Sequence, residues 1–210
     1  MHKAGSGKTV LTSSAVDALM SSESEDIGVA YYYCDYVDKV SLEPAFILGT
    51  LVRDLLQGYE IPEEVSHLIA LHYRDGERTP EIDDVFQILL QTVYWFESVI
   101  LVVDGIDEVD EPDRNTVLRY LKTLMLYPGV SVKVFITSRE DKDVLPVLSP
   151  LPGACFRVNV LELAGSNGIY CYVRDSVESM VYARRLAINP GNMQLKDEIV
   201  QKLSVGARGM

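Results

Sequence analysis

The sequence predicts an α/β fold, a mostly parallel sheet layered between helices, and three observations carry that prediction. Short β-branched or aromatic runs alternate along the chain with stretches of helical periodicity, the order that builds strand–helix–strand units. One run, from Ser98 to Val103, is apolar almost without interruption and ends in Asp104, as a strand covered on both faces must be. A glycine-rich turn, Gly5-Ser6-Gly7-Lys8-Thr9, opens directly into a helical stretch, a common way for such sheets to deliver a loop to a ligand.

The elements follow in order. Val10 to Met20 has helical character. Ile27-Gly28-Val29-Ala30-Tyr31-Tyr32-Tyr33-Cys34 reads as a strand, and its tyrosines are explained by a sheet covered with helices. Pro44 stands near the start of a helix whose apolar positions are Phe46, Ile47, Leu48, Leu51, Leu55 and Leu56. A polar segment with Pro62, Asp75-Gly76 and Pro80 holds a short apolar helix around Val65 to Leu71, and a longer helix runs from Ile82 to Phe96. After the buried strand at 98–103, Val117, Leu118, Leu121, Leu124 and Met125 mark one face of an amphipathic helix, which Pro128-Gly129 ends. Val132 to Thr137 is another buried strand and Cys155 to Val160 a short last one. Beyond Leu161 the pattern turns helical, at about 168–182 and 195–203. The chain therefore divides into an α/β core over 1–160 and the start of a helical subdomain over 161–210.

With 48% hydrophobic residues in 210, a sizeable core is available. The 19 basic and 31 acidic side chains leave a net charge of −12, which argues against nucleic acid as a partner, because phosphate backbones need clustered Lys and Arg. Three cysteines, Cys34, Cys155 and Cys171, have no framework spacing and read as reduced thiols. No leader is evident and no apolar run approaches the roughly 20 residues that span a bilayer, so a cytoplasmic protein without a membrane span is expected. Gly-x-Ser-x-Gly, His-Glu-x-x-His and Cys-x-x-Cys are missing, and His67 and His72 are off the i, i+4 spacing of a helical metal pair.

The glycine-rich turn carries a specific chemistry. Glycines let the backbone curl its N–H groups toward phosphate oxygens, Lys8 supplies a cation for the β- and γ-phosphates, and the Thr9 hydroxyl can bind Mg²⁺. The following helix adds its N-terminal dipole. In the full G-x-x-x-x-G-K-[ST] pattern the first glycine position holds His2. A partner carboxylate is expected at the end of a buried strand, and Asp104 fills that place, opposite Thr9 across the metal. Asp107 and Glu108, just beyond, are candidates to orient or deprotonate an attacking water. Arg139, directly after Phe135-Ile136-Thr137-Ser138, can contact the γ-phosphate or follow its loss.

Taken in order, Gly5-Ser6-Gly7-Lys8-Thr9, Val29 to Tyr36, Asp104-Gly105-Ile106-Asp107-Glu108 and Phe135 to Arg139 closely resemble the NACHT-type P-loop NTPases of the STAND group. The likeness is strongest to fungal members whose N-terminal region is described as nephrocystin-like, and it covers nearly the whole chain. It implies a three-layer P-loop sheet, with the strand at 131–137 beside that at 98–103. It also implies a signalling ATPase or GTPase that switches between a closed diphosphate form and an open, oligomerising triphosphate form. Gly5, Ser6, Gly7, Lys8 and Thr9 would hold the nucleotide, Thr9 and Asp104 the Mg²⁺, Asp107 and Glu108 the water, and Arg139 would be the sensor. Such proteins carry flanking effector and repeat domains and act in self/non-self recognition and programmed cell death. The family's strand ahead of the loop and its winged-helix region fall outside this sequence, and its first glycine is replaced by His2; on that comparison the chain reads as truncated at both ends. Two other readings differ in class: an interaction domain that keeps the fold without binding nucleotide, and a metabolic P-loop kinase. The kinase requires a basic phosphate-clamping lid, for which the tail offers only Arg184-Arg185.

Overall fold

The computed structural model describes residues 8–21, 26–73, 79–139, 144–148, 170, 173–182, 186 and 193–207. They fall into two compact units, one within Thr9–Cys155 and another that takes in Lys8 and the residues from 170 onward. The strand expected at 155–160, like Gly5, Ser6 and Gly7, lies outside the described residues.

The larger unit is α/β, with helices around a sheet of three parallel strands among the described residues. These are β1 (Ile27–Tyr33), β2 (Ser98–Asp104) and β3 (Ser131–Ile136), in the order β1-β2-β3. The strand at 131–136 thus lies beside the one at 98–104, as the resemblance implies. Helix α1 (Lys8–Met20) precedes β1; α2 (Pro44–Leu56), α3 (Glu63–Tyr73) and α4 (Ile82–Val93) separate β1 from β2. Helix α5 (Glu111–Leu126) separates β2 from β3, and the short α6 (Val144–Leu148), which periodicity does not predict, follows. Among the described residues no helix is long and apolar enough to cross a membrane.

Register explains the core. Gly28, Val99 and Val132 stand side by side, then Ala30, Leu101 and Val134, then Tyr32, Val103 and Ile136. Strand side chains alternate in direction, so these three rows share one face of the sheet. Against it α2 sets Ile47, Leu48, Leu51 and Leu55 and α5 sets Val117, Leu118, Leu121 and Leu124; α4 packs on α2 and adds Val85, Ile88, Leu89 and Val93 to the same buried apolar cluster. Gly28 is required by this closeness: a Cβ there would lie 2.9 Å from Leu55 Cδ2 and 3.0 Å from Phe96 Cγ. The periodicity that runs to Phe96 overshoots the helix, which stops at Val93. Trp95 and Phe96 donate their N–H groups to the carbonyls of Thr92 and Val93, three residues back, and this tightened turn brings Phe96 under β1. Helix α5 begins earlier than its apolar stripe, at Glu111, with Pro112 and the acids Glu111 and Asp113 in its first turn.

The smaller unit contributes α7 (173–182) and α8 (Met193–Ala207). Val177 and Val200 are buried, and Lys196 reaches Glu178 at 2.6 Å.

Candidate phosphate and metal site

Parallel strands deliver their C-terminal ends to one edge of the sheet, and that is where the expected chemistry gathers. Asp104 is the last residue of β2. It is buried, 5% exposed, and its carboxylate accepts three hydroxyl hydrogen bonds. Thr9 donates to Oδ2 at 2.7 Å; Thr12 and Thr137 both donate to Oδ1, at 2.6 and 2.5 Å. Thr9 and Thr12 share a face of α1 because they are three residues apart on a helix. Pairing Thr9 with Asp104 across 95 residues of sequence is the juxtaposition the two motifs predict.

Beyond Asp104 the chain turns sharply. Gly105 has φ +69°, a left-handed conformation that glycine adopts without strain, and starts a single turn of 3-10 helix over Ile106–Glu108. The turn is tied to the exit of β3. Gly105 N–H donates to the Thr137 hydroxyl at 2.9 Å, Ile106 N–H to the Thr137 carbonyl at 3.1 Å, and Thr137 N–H to the Val103 carbonyl at 3.0 Å. The Cys34 N–H, at the exit of β1, donates to the Asp104 carbonyl at 2.9 Å. Buried Arg114 at the start of α5 adds a bond to the Val109 carbonyl at 3.0 Å.

Asp107, Glu108 and Arg139 come together as a group. Asp107 accepts the Arg139 backbone N–H at 2.8 Å and faces its Nε at 3.2 Å; Glu108 lies 3.8 Å from Arg139 Nη2. Glu108 also accepts the Tyr36 N–H at 2.9 Å, which links the acidic turn to the loop after β1. Three strand exits are therefore joined through one acidic turn. The neighbourhood is negative enough to act on Cys34: burial first, then the charges of Glu108, Asp104 and Asp107, push its thiol up to about 12. Tyr33, whose hydroxyl bonds Ser13 of α1, is also raised, chiefly by burial and then by Asp104.

Thr9 and Asp104 are hard oxygen donors held close together, which suits Mg²⁺, an ion that keeps several waters and takes few protein ligands. Among the described residues no group of three or more His, Cys, Asp or Glu side chains could hold a metal by itself. Lys8 is the first residue of α1; Gly5, Ser6 and Gly7 lie outside the described residues. Two members of the site escape a motif reading. Thr12 is signalled only by its place one turn after Thr9, and Thr137 only by register, since β3 pairs Ile136 with Val103 and so carries Thr137 level with Asp104.

The chain is thus an α/β protein with a hydroxyl–carboxylate pair and an acidic turn at the carboxyl edge of a parallel sheet. Residues 2–139 match the nephrocystin 3, N-terminal family, well over half of the chain, and the chain belongs to that family. No curated protein matches it.

Proposed function

We propose that this chain is a nucleotide-binding module of the NACHT-type P-loop class, taking ATP or GTP with Mg²⁺ and serving as a conformational switch in a longer, cytoplasmic signalling protein. The observation that carries the reading is the Thr9–Asp104 contact at the end of the central strand, in a chain whose Gly5-Ser6-Gly7-Lys8-Thr9 precedes it in a phosphate-loop pattern. In this reading Gly5, Ser6, Gly7 and Lys8 hold the phosphates. Thr9 and Asp104 hold the Mg²⁺, which when bound draws charge from the phosphates. Asp107 and Glu108 orient water, and Arg139 senses the γ-phosphate. The contacts among the last three support a joint role: the guanidinium that would meet phosphate is held by the acids that would hold water. The divisions 1–160 and 161–210 correspond to a nucleotide-binding core and the beginning of a helical lid, and flanking effector and repeat domains and assembly of copies belong to the same proposal.

The test is equilibrium binding of fluorescent ATP and GTP analogues, with and without Mg²⁺, to the chain and to Lys8→Ala. Micromolar binding that Lys8→Ala abolishes, with thermal stability little changed, is the expected result. Asp107→Asn keeps shape and removes a base, so any turnover falls by about 10²–10⁴ while binding persists. His2, at the position of the pattern's first glycine, favours the alternative of an interaction domain without nucleotide. Failure of the unaltered chain to bind either analogue at millimolar concentration would establish that alternative.

A further inference from the structure

We infer that Thr12 and Thr137 are positioning residues that fix the Asp104 carboxylate, engaging one oxygen so that the other is presented beside Thr9 to the metal; this rests on the nucleotide reading above. A terminal carboxylate torsion is broad and soft, so an aspartate at a strand end does not by itself hold its plane. Here Oδ1 takes two hydroxyl donors from different elements, Thr12 at 2.6 Å from α1 and Thr137 at 2.5 Å from the exit of β3. Among the described residues, Oδ2 takes only the Thr9 hydroxyl, at 2.7 Å. Thr12 is fully buried and Thr137 is 6% exposed, so both bonds are shielded from competing water.

The donors are neutral. A lysine or arginine in either place would hold the carboxylate equally well but would cancel the charge a cation needs. Hydroxyls orient it and leave that charge in place. Thr137 is itself immobilised, since its hydroxyl also accepts the Gly105 N–H while its backbone N–H and carbonyl bond Val103 and Ile106. The carboxylate is therefore set by the same bonds that join the β2 and β3 exits. Entry of the metal would disturb the Thr9 bond and leave the two on Oδ1 intact. Outer partners of this kind commonly contribute 10–100-fold in metal affinity.

The experiment titrates MgCl₂ against binding of a fluorescent ATP analogue by the full 210-residue chain, with parallel measurements in EDTA. Thr12→Val and Thr137→Val keep shape and remove the hydroxyl; Thr12→Ser keeps the hydroxyl. The expected result is a rise of about tenfold or more in the Mg²⁺ concentration at half-effect for both valine variants. Binding in EDTA should be unchanged, and Thr12→Ser should restore the Mg²⁺ dependence. A purely structural role would lower thermal stability without moving the Mg²⁺ midpoint, so folded valine variants with an unaltered midpoint would overturn the inference alone. If Thr137→Val does not fold, the Thr12→Val and Thr12→Ser pair decides the question at a helical site. No nucleotide binding by the unaltered chain would overturn the proposed function and this inference together.

Discussion

The body of β2 and its last residue are both buried, for opposite reasons. Val99, Leu101, Val102 and Val103 of the strand are buried, Ile100 is half-buried, and Leu101, at the strand's centre, is inaccessible to solvent. One residue beyond Val103, the same strand buries a carboxylate among three hydroxyls. Apolar burial is non-directional: it scales with area and accepts many side chains of the right volume. The carboxyl edge depends on donors and acceptors at fixed angles, where loss of one partner leaves another exposed to a dry interior. A protein gains nothing in stability by burying an acid where a valine would fit, so the cost at this edge points to function.

The largest effect of a substitution is expected in the body of the strand. Leu101→Ala should remove about 2–5 kcal/mol, read from the midpoint of urea unfolding, because the surrounding helices cannot collapse fully into the space. A loss below about 1 kcal/mol would mean that the core under β2 is not closed there. At the edge, Thr137→Val removes the donor to Asp104 and the acceptor for Gly105 N–H. The expected loss is about 1–3 kcal/mol by the same measurement, the usual cost of an unsatisfied buried group. The same exchange at Thr123, whose hydroxyl merely bonds the Arg119 carbonyl on the exposed side of α5, should change stability by less than about 0.5 kcal/mol. Equal effects at the two threonines would mean that the Thr137 hydroxyl holds no more than a surface hydroxyl does.

Gly105→Ala tests conformation without contact. A Cβ there would lie 3.6 Å from the Cys34 carbonyl and 3.8 Å from the Glu108 side chain, ordinary separations, so only the φ of +69° resists it. The cost should be about 1–2 kcal/mol of stability.

The smallest effect concerns Cys34. Its thiol is raised to about 12 in the folded protein, against an ordinary value near 9 in the unfolded one. The contribution to stability is thus fully present below the unfolded value and is lost as pH climbs from about 9 toward 12, where only the unfolded chain ionises at first. Folded protein at pH 8 should alkylate at Cys34 far more slowly than urea-unfolded protein, followed residue by residue with mass spectrometry. Equal rates would show that the acidic turn does not shield the thiol.

Much of this was legible in the residues themselves. A continuous apolar run marks β2 because a strand buried along most of its length has little polar side to show. Strand β3, expected to be buried throughout, instead exposes Lys133 and Phe135 on one face while Val132 is buried on the other. The helical periodicities of α2, α4 and α5 follow from a single buried face. Pro44 and Pro128-Gly129 signal a beginning and an end through backbone chemistry that acts locally. The candidate residues were legible for a like reason: Asp104 closes an apolar run, and Lys8-Thr9 follows glycines at a fixed spacing. Other features exist only through distant contacts. The stop at Val93 depends on the space beneath Gly28, which belongs to another strand. The pairing of Arg139 with Asp107 and Glu108 depends on β2 and β3 being neighbours in register. Thr12 and Thr137 look like ordinary threonines in their own segments. A hydroxyl carries no sequence signal of the partner it will meet, since hydrogen bonds act at under 3 Å or so and only folding sets that distance. The residues themselves marked β1 to β3 and α1 to α5, and named the acid that stands at the edge of the sheet, because periodicity and backbone preference are local; the short α6 carried no such mark. Tertiary structure decided which hydroxyls would hold that acid, because the choice required three elements far apart in sequence to meet at one carboxylate.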